Sequence, residues 1–195
     1  MTDRIEELVE QIKQLEDDLG TELHRHEEAL LFKLNGKKVE FENSVKQAHR
    51  RLKTGVLPWL FGTRPLNLIT APIIYSMIIP LLISDLFVSF YQLSCFPIYK
   101  ITKVRRKDYF IFDRHHLAYL NAFEKLHCFY CSYANGLIAY ISEILARTEH
   151  YFCPIKHARK VLKTHAHYRY FIPYGEADNY HEKLEKFRRK LAKEK

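Results

Sequence analysis

The chain carries none of the short signatures that mark common activities: no Walker loop, no dinucleotide-binding glycine fingerprint, no GxSxG elbow and no HExxH pair. No familiar nucleotide, hydride, esterase or zincin chemistry is therefore indicated by motif. Cysteine is also scarce. The four present, Cys95, Cys128, Cys131 and Cys153, are too few and too irregular for a secreted disulfide scaffold. A reducing, cytoplasmic setting is the expectation for the three outside the apolar stretch described next. No internal repeat and no low-complexity linker is visible, and the first apolar run follows about sixty polar residues, so no secretory signal peptide is expected.

Charge is nearly absent from one stretch, Pro65 to Tyr99, whose 35 residues include a single charged side chain, Asp85. A run of more than ~18 such residues reads as membrane-embedded. As one straight helix it would rise ~52 Å, against a hydrocarbon core of ~30 Å. Two full crossings would need roughly 17 residues each and leave almost nothing for a turn. Pro72 and Pro80 interrupt helical hydrogen bonding, and Pro97 lies near the exit. Basic residues stand before the stretch (Arg50, Arg51, Lys53, Arg64) and after it (Lys100, Lys103, Arg105, Arg106, Lys107), so the positive-inside rule sets no direction. The expectation is a membrane-embedded hairpin over residues 65–99 that enters and leaves on the cytoplasmic side. Asp85 would sit at its apex, within reach of headgroups or water. A single over-long tilted span and a buried core helix are the alternatives.

The formal net charge of +8 is unevenly spread: residues 1–28 hold ten acids and three bases, whereas 33–64 hold eight bases and two acids. Beside a membrane stretch, such a basic balance points to anionic lipid headgroups ahead of nucleic acid. In residues 1–30, Ile5, Leu8, Ile12, Leu15 and Leu19 form a coiled-coil seam, which suits a homodimer through residues 3–31 or docking on the protein's own body. Residues 31–64 read as a small β-hairpin turning at Asn35-Gly36, followed by a basic interfacial helix with Val45, Ala48 and Leu52 on its apolar side. Residues 108–113 suit a strand. Helices are expected from Arg114 to about Cys131, from Leu137 to Thr148 after a break at Asn135-Gly136, and from Pro154 to about Tyr168. An amphipathic basic helix fills residues 176–195.

The constellation with most chemical content is Cys128 and Cys131 with Cys153 and His157. A CxxC and a CxxxH together supply the donors of a tetrahedral Cys₃His zinc site within a helical 107–175 domain. That site requires the first helix to end near Cys131, because an unbroken helix would hold the two halves ~30 Å apart. Free buried cysteines are the plainer explanation. A second metal reading uses carboxylates: Glu124 with His127 and Asp113 with His116 have the ExxH-type spacing of di-iron bundles, and Glu143 and Glu149 could complete a site for iron. His157, His165 and His167 punctuate a basic run without acids from Cys153 to Gly175.

The fold expected is thus mostly α: a membrane hairpin anchor, a small helical C-terminal metal-binding domain and a minor β-hairpin. The functional expectation is a membrane-anchored cytoplasmic metal-binding module, with structural zinc, acting as a binding or scaffold element at the membrane face. The alternative is a membrane-associated metalloenzyme, redox or hydrolytic, working on a lipid-like substrate.

Overall fold

The computed structural model describes residues 3–28, 32–35, 38–41, 43–62 and 64–193. The protein is mostly helical. It divides into two compact units, Met1–Leu60 with Asp113–Lys125, and Phe61–Phe112 with Leu126–Lys195.

In the first unit, α1 (Asp3–Glu28) carries Leu8, Ile12, Leu15 and Leu19 on an exposed stripe. Strands β1 (Phe32–Asn35) and β2 (Lys38–Phe41) pair antiparallel, with Phe32 opposite Phe41 and Leu34 opposite Val39. Residues 36 and 37, where the Asn35-Gly36 turn was expected, include positions outside the described residues. Helix α2 (Asn43–Arg51) ends on His49, Arg50 and Arg51, cations that suit the negative end of a helix dipole. Helix α3 (Val56–Gly62) follows, and its Trp59 ring stacks on Phe123 at 5.8 Å.

The second unit is built around the apolar stretch, which forms α4 (Pro65–Ser76) and α5 (Ile78–Tyr99). The expected reversal does not occur. Met77, between the two helices, has φ −60° and ψ −15°, and its N–H reaches back to the carbonyls of Ile74 and Tyr75. The chain therefore continues in one direction. Pro80 accounts for the discontinuity, since it lacks a donor and its ring crowds the carbonyl four residues earlier. The ladder tightens for one turn and resumes. By length and composition Pro65–Tyr99 is one helix able to cross a membrane, and only 6% of its most apolar window is buried within the protein.

At the end of α5, Lys100 adopts the left-handed conformation (φ 56°), and Ile101 N–H donates to the Phe96 carbonyl at 2.9 Å. This cap turns the chain back along the helix it has just left. Residues 101–112, the return segment, contain no strand at 108–113. Helix α6 (Ala122–Phe152) then runs parallel to α5: Tyr133 meets Asp85, Tyr140 meets Gln92, and Tyr151 and Phe152 meet Tyr99. A capping box starts α6. Asn121 Oδ1 accepts from Glu124 N–H at 3.0 Å while Glu124 Oε2 accepts from Asn121 N–H at 2.8 Å. Phe96, Ile101, Val104, Leu137, Tyr140, Ile144 and Leu191 form the core. Leu191 comes from α7 (Tyr180–Lys193), docked through Leu184 and Leu191 one heptad apart.

Two expected boundaries fail for local reasons. α6 passes unbroken through Asn135-Gly136: the Asn135 amide bonds to the Cys131 carbonyl at 2.9 Å, and Gly136 is buried where the return segment needs room. The helix expected from Pro154 to Tyr168 is absent. Lys156 N–H and Ile172 N–H are taken instead by the Ile172 and Pro154 carbonyls, each at 2.8 Å, and only a 3-10 turn forms at Ala166–Tyr170. Like charges four apart, Lys156/Lys160 and Arg159/Lys163, also oppose a helix there.

A Cβ on Gly136 would lie 2.6 Å from the Tyr109 carbonyl oxygen, a backbone atom. Gly136→Ala should therefore destabilise the protein by roughly 1–3 kcal/mol despite alanine's better helix propensity. Chemical denaturation of the two proteins measures the difference, and an unchanged or raised midpoint would show that the return segment yields easily.

Candidate functional site

Asp85 is the only charge in the apolar stretch, and it does not sit at an exposed apex. It lies within α5, on the side facing the return segment and α6. Arg106 closes on it with both guanidinium ends, Nη1 to Oδ1 and Nη2 to Oδ2, each at 2.5 Å. Tyr133 Oη donates to Oδ2 at 2.8 Å and Ser89 Oγ to Oδ1 at 3.2 Å. The carboxylate thus has four donors, two in the parallel fork that makes arginine–carboxylate pairs strong. Arg106 also lies over the Phe110 ring at 4.1 Å. Burial, and then the bond to the Asp85 carboxylate, push the Tyr133 phenol up to about 12, so it stays a donor at neutral pH. The Asp85 side chain is 13% exposed and that of Arg106 46%, so the pair is closed on one side and open on the other.

Two turns further, Gln92 repeats the arrangement without charge. Its Oε1 accepts from Val104 N–H at 2.6 Å, and its Nε2 donates to Tyr140 Oη at 2.8 Å. Arg147 Nη1 donates to the Thr102 carbonyl at 2.7 Å. These contacts hold the return segment at three successive levels.

The second constellation surrounds the C-terminal half of α6. Glu143 Oε1 accepts from Arg147 Nε at 2.8 Å and lies 3.4 Å from His167 Nε2, whose Nδ1 is 3.3 Å from His150 Nδ1. His165 Nε2 lies 2.8 Å from Glu149 Oε2. His150 is buried against Phe171 and Phe187, and its Nε2 has no hydrogen-bond partner among the described residues. Burial and then the nearby His167 hold its pKa down at about 4, so it is neutral at pH 7. For Glu143 burial opposes ionisation, but the bonds to His167 and Arg147 outweigh it and lower its pKa. Two imidazoles each joined to a carboxylate are the inventory of acid–base chemistry.

The cysteine site expected from sequence is not assembled. Because α6 is continuous, Cys131 and Cys153 are separated by about 33 Å of helix. Cys128 and Cys131 therefore share no centre with Cys153 and His157, whose N–H is bonded to Tyr168 Oη. All four cysteines are free thiols. The carboxylate alternative fails for the same reason: Glu124 and Glu143 stand about 28 Å apart on α6. Glu124 is a helix cap, the His127 ring lies against Tyr75, and Asp113 precedes the 3-10 turn that His116 ends. Glu143 and Glu149 face histidines that the ExxH pattern did not include. Among the described residues no group of three or more His, Cys, Asp or Glu is placed to hold a metal ion.

Arg106, Tyr133, Gln92 and His150 escaped the sequence reading. One signal was available: a lone carboxylate in an apolar run requires a cation, and the first cations after the run lie between Lys100 and Lys107. No protein-family model, curated protein or solved structure matches this chain.

Two predictions follow from these groups. Asp85→Asn should cost roughly 1–3 kcal/mol of unfolding free energy, because Arg106 loses its counter-charge. Replacing both partners (Asp85→Leu with Arg106→Met) should cost less than the two single changes combined, and a double-mutant cycle by denaturation reads the coupling. For His150, the unfolded chain takes up a proton below its ordinary value near 6.5 while the folded chain resists until about 4. Stability should therefore fall by about 3 kcal/mol as pH drops through that window and should be insensitive to this group above it. Thermal melts of the protein and of His150→Leu between pH 4 and 8 test this: the variant should show a flatter dependence, and equal slopes would refute the assignment.

Proposed function

We propose that this chain is a monotopic membrane-anchored binding module. α4 and α5 lie in one leaflet, and the part of the chain that follows serves as a binding or scaffold surface at that membrane face. One observation carries the reading: α5 is inside out for a soluble helix. Its buried residues are Asp85, Gln92 and Phe96, whereas Leu82, Ile83, Leu86, Phe87, Phe90 and Leu93 are all exposed. At 100° per residue Ile83, Phe87 and Phe90 fall on the side opposite Asp85 and Gln92, and Leu82, Leu86 and Leu93 lie along one flank. Water would favour the reverse arrangement, and lipid favours this one. In α4 the hydroxyls of Thr70 and Ser76 bond to carbonyls of their own helix, as lipid-exposed hydroxyls must.

The return segment supports placement in one leaflet in preference to a crossing. It lays the exposed Lys103, Arg105 and Lys107 beside the α5 levels occupied by Gln92 and Asp85. Only Tyr109–Phe112 separate Asp108 from the next charge, Asp113, and four extended residues reach about 13 Å. That is less than half of a ~30 Å hydrocarbon core. A crossing that took in the exposed apolar face of α5 would carry Lys103, Arg105 and Lys107 into lipid at ~2.5–3.5 kcal/mol each near the centre. In one leaflet they face headgroups, and the side we propose for them is the cytoplasmic one, a reducing setting that suits free thiols. The histidine–carboxylate pairs favour one second reading, acid–base chemistry on a lipid-like substrate at the same face.

The full chain should co-sediment with phospholipid vesicles and remain bound after a high-salt wash. Phe87→Glu with Phe90→Glu, at two outward positions, should abolish that retention while leaving the thermal midpoint near that of the parent. Retention by the double variant would refute anchoring through this face.

A further inference from the structure

We infer that the loop between Ile155 and Ile172 is a second membrane contact, a basic-flanked apolar tip that inserts among anionic phospholipid headgroups. The inference rests on the anchored reading above and adds a lipid class to it. Leu162 is 98% exposed and its neighbour Val161 is 40% exposed. Exposure this complete is unusual for a leucine beside a well-packed core. Arg159, Lys160 and Lys163, all exposed, bracket these two residues, and no acid occurs from Cys153 to Gly175. An apolar tip ringed by cations is the complement of a surface with negative headgroups above hydrocarbon. The tip gains from burial in the acyl region, and the cations are attracted to an anionic leaflet.

The loop is held at its base. Ile155 and Ile172 form a bridge, Lys156 N–H and Ile172 N–H make the bonds already described, and Tyr168 Oη accepts from His157 N–H at 2.7 Å. The tip is thus presented from a fixed base, which lowers the ordering cost on binding. Its base adjoins the end of the anchor helix. Tyr99, at the end of α5, touches Phe152, at the end of α6, with ring centroids 5.1 Å apart. Ile98, Tyr99 and Phe152 are each exposed, and the loop's base begins three residues beyond Phe152. An apolar surface therefore runs from α5 toward the loop. A solvated basic loop would not need Val161 and Leu162 at its tip.

The test uses the full chain on two vesicle types, pure phosphatidylcholine and phosphatidylcholine with phosphatidylserine. The parent should bind the anionic vesicles at least tenfold more tightly, and the preference should shrink with added salt. Leu162→Ser should weaken binding to both types. Arg159→Ala with Lys160→Ala and Lys163→Ala should remove the anionic preference while leaving anchoring to neutral vesicles. In Leu162→Trp, the added emission should shift to the blue on vesicles and be quenched by brominated acyl chains. A water-exposed tryptophan at 162 on bound protein, or an undiminished anionic preference in the triple variant, overturns the loop proposal while leaving the anchor standing. Failure of the parent to bind any vesicle overturns both.

Discussion

A carboxylate placed in an apolar helix must find a cation, and the rest of the second unit is arranged around that requirement. Asp85 cannot be met by its own helix, since α5 has no basic residue. The nearest sources lie beyond the helix end, so the chain must double back. The left-handed turn at Lys100 starts that reversal, and the return segment brings Arg106 level with Asp85. Once the return segment occupies one flank of α5, α6 can pack only where it also accommodates that segment. This accounts for a glycine at 136, where the Tyr109 carbonyl approaches, and for two inward-facing tyrosines, Tyr133 donating to Asp85 and Tyr140 accepting from Gln92.

Polar groups here specify register more than they add stability. The Asp85 level, the Gln92 level and the Thr102–Arg147 contact are matched in order along both helices. A slip of α6 by one turn would break the Tyr133–Asp85, Gln92–Tyr140 and Arg147–Thr102 hydrogen bonds together, each at a cost of about 0.5–1.5 kcal/mol. Apolar packing between α5 and α6 tolerates such slips far better. The same logic explains how a helix with so apolar an exterior can hold a single arrangement: its specificity lies on the inward face that carries Asp85 and Gln92.

Much of the fold was legible in the sequence because it depends on local signals. The apolar run, its start after Arg64 and its end before Lys100, and the period of α1 and α7 all follow from side-chain pattern. What misled were signals that tertiary contacts override. Asn135-Gly136 reads as a break, yet the glycine serves a neighbouring carbonyl and the helix runs through it. Pro154 reads as a helix start, yet the backbone donors that follow are captured by Ile172. The prolines of the apolar stretch read as a reversal, and they produce only a tightened turn at Met77. The cysteine–histidine constellation depended on that break in α6, so it fell with it. The histidine–carboxylate pairs were half visible: Glu143, Glu149, His165 and His167 were all noted, but only a folded loop reveals which faces which.

The order of the chain imposes a schedule on the Asp85 contacts. The arginine partner lies 21 residues downstream and the tyrosine donor 48. At ~5–20 residues per second, the ribosome delivers Arg106 about 1–4 s after Asp85 and Tyr133 later still. Throughout that interval the apolar helix carries a carboxylate without its cation, and that side must stay in contact with water. The register of α5 against its neighbours can therefore be fixed only after Tyr133 has been synthesised.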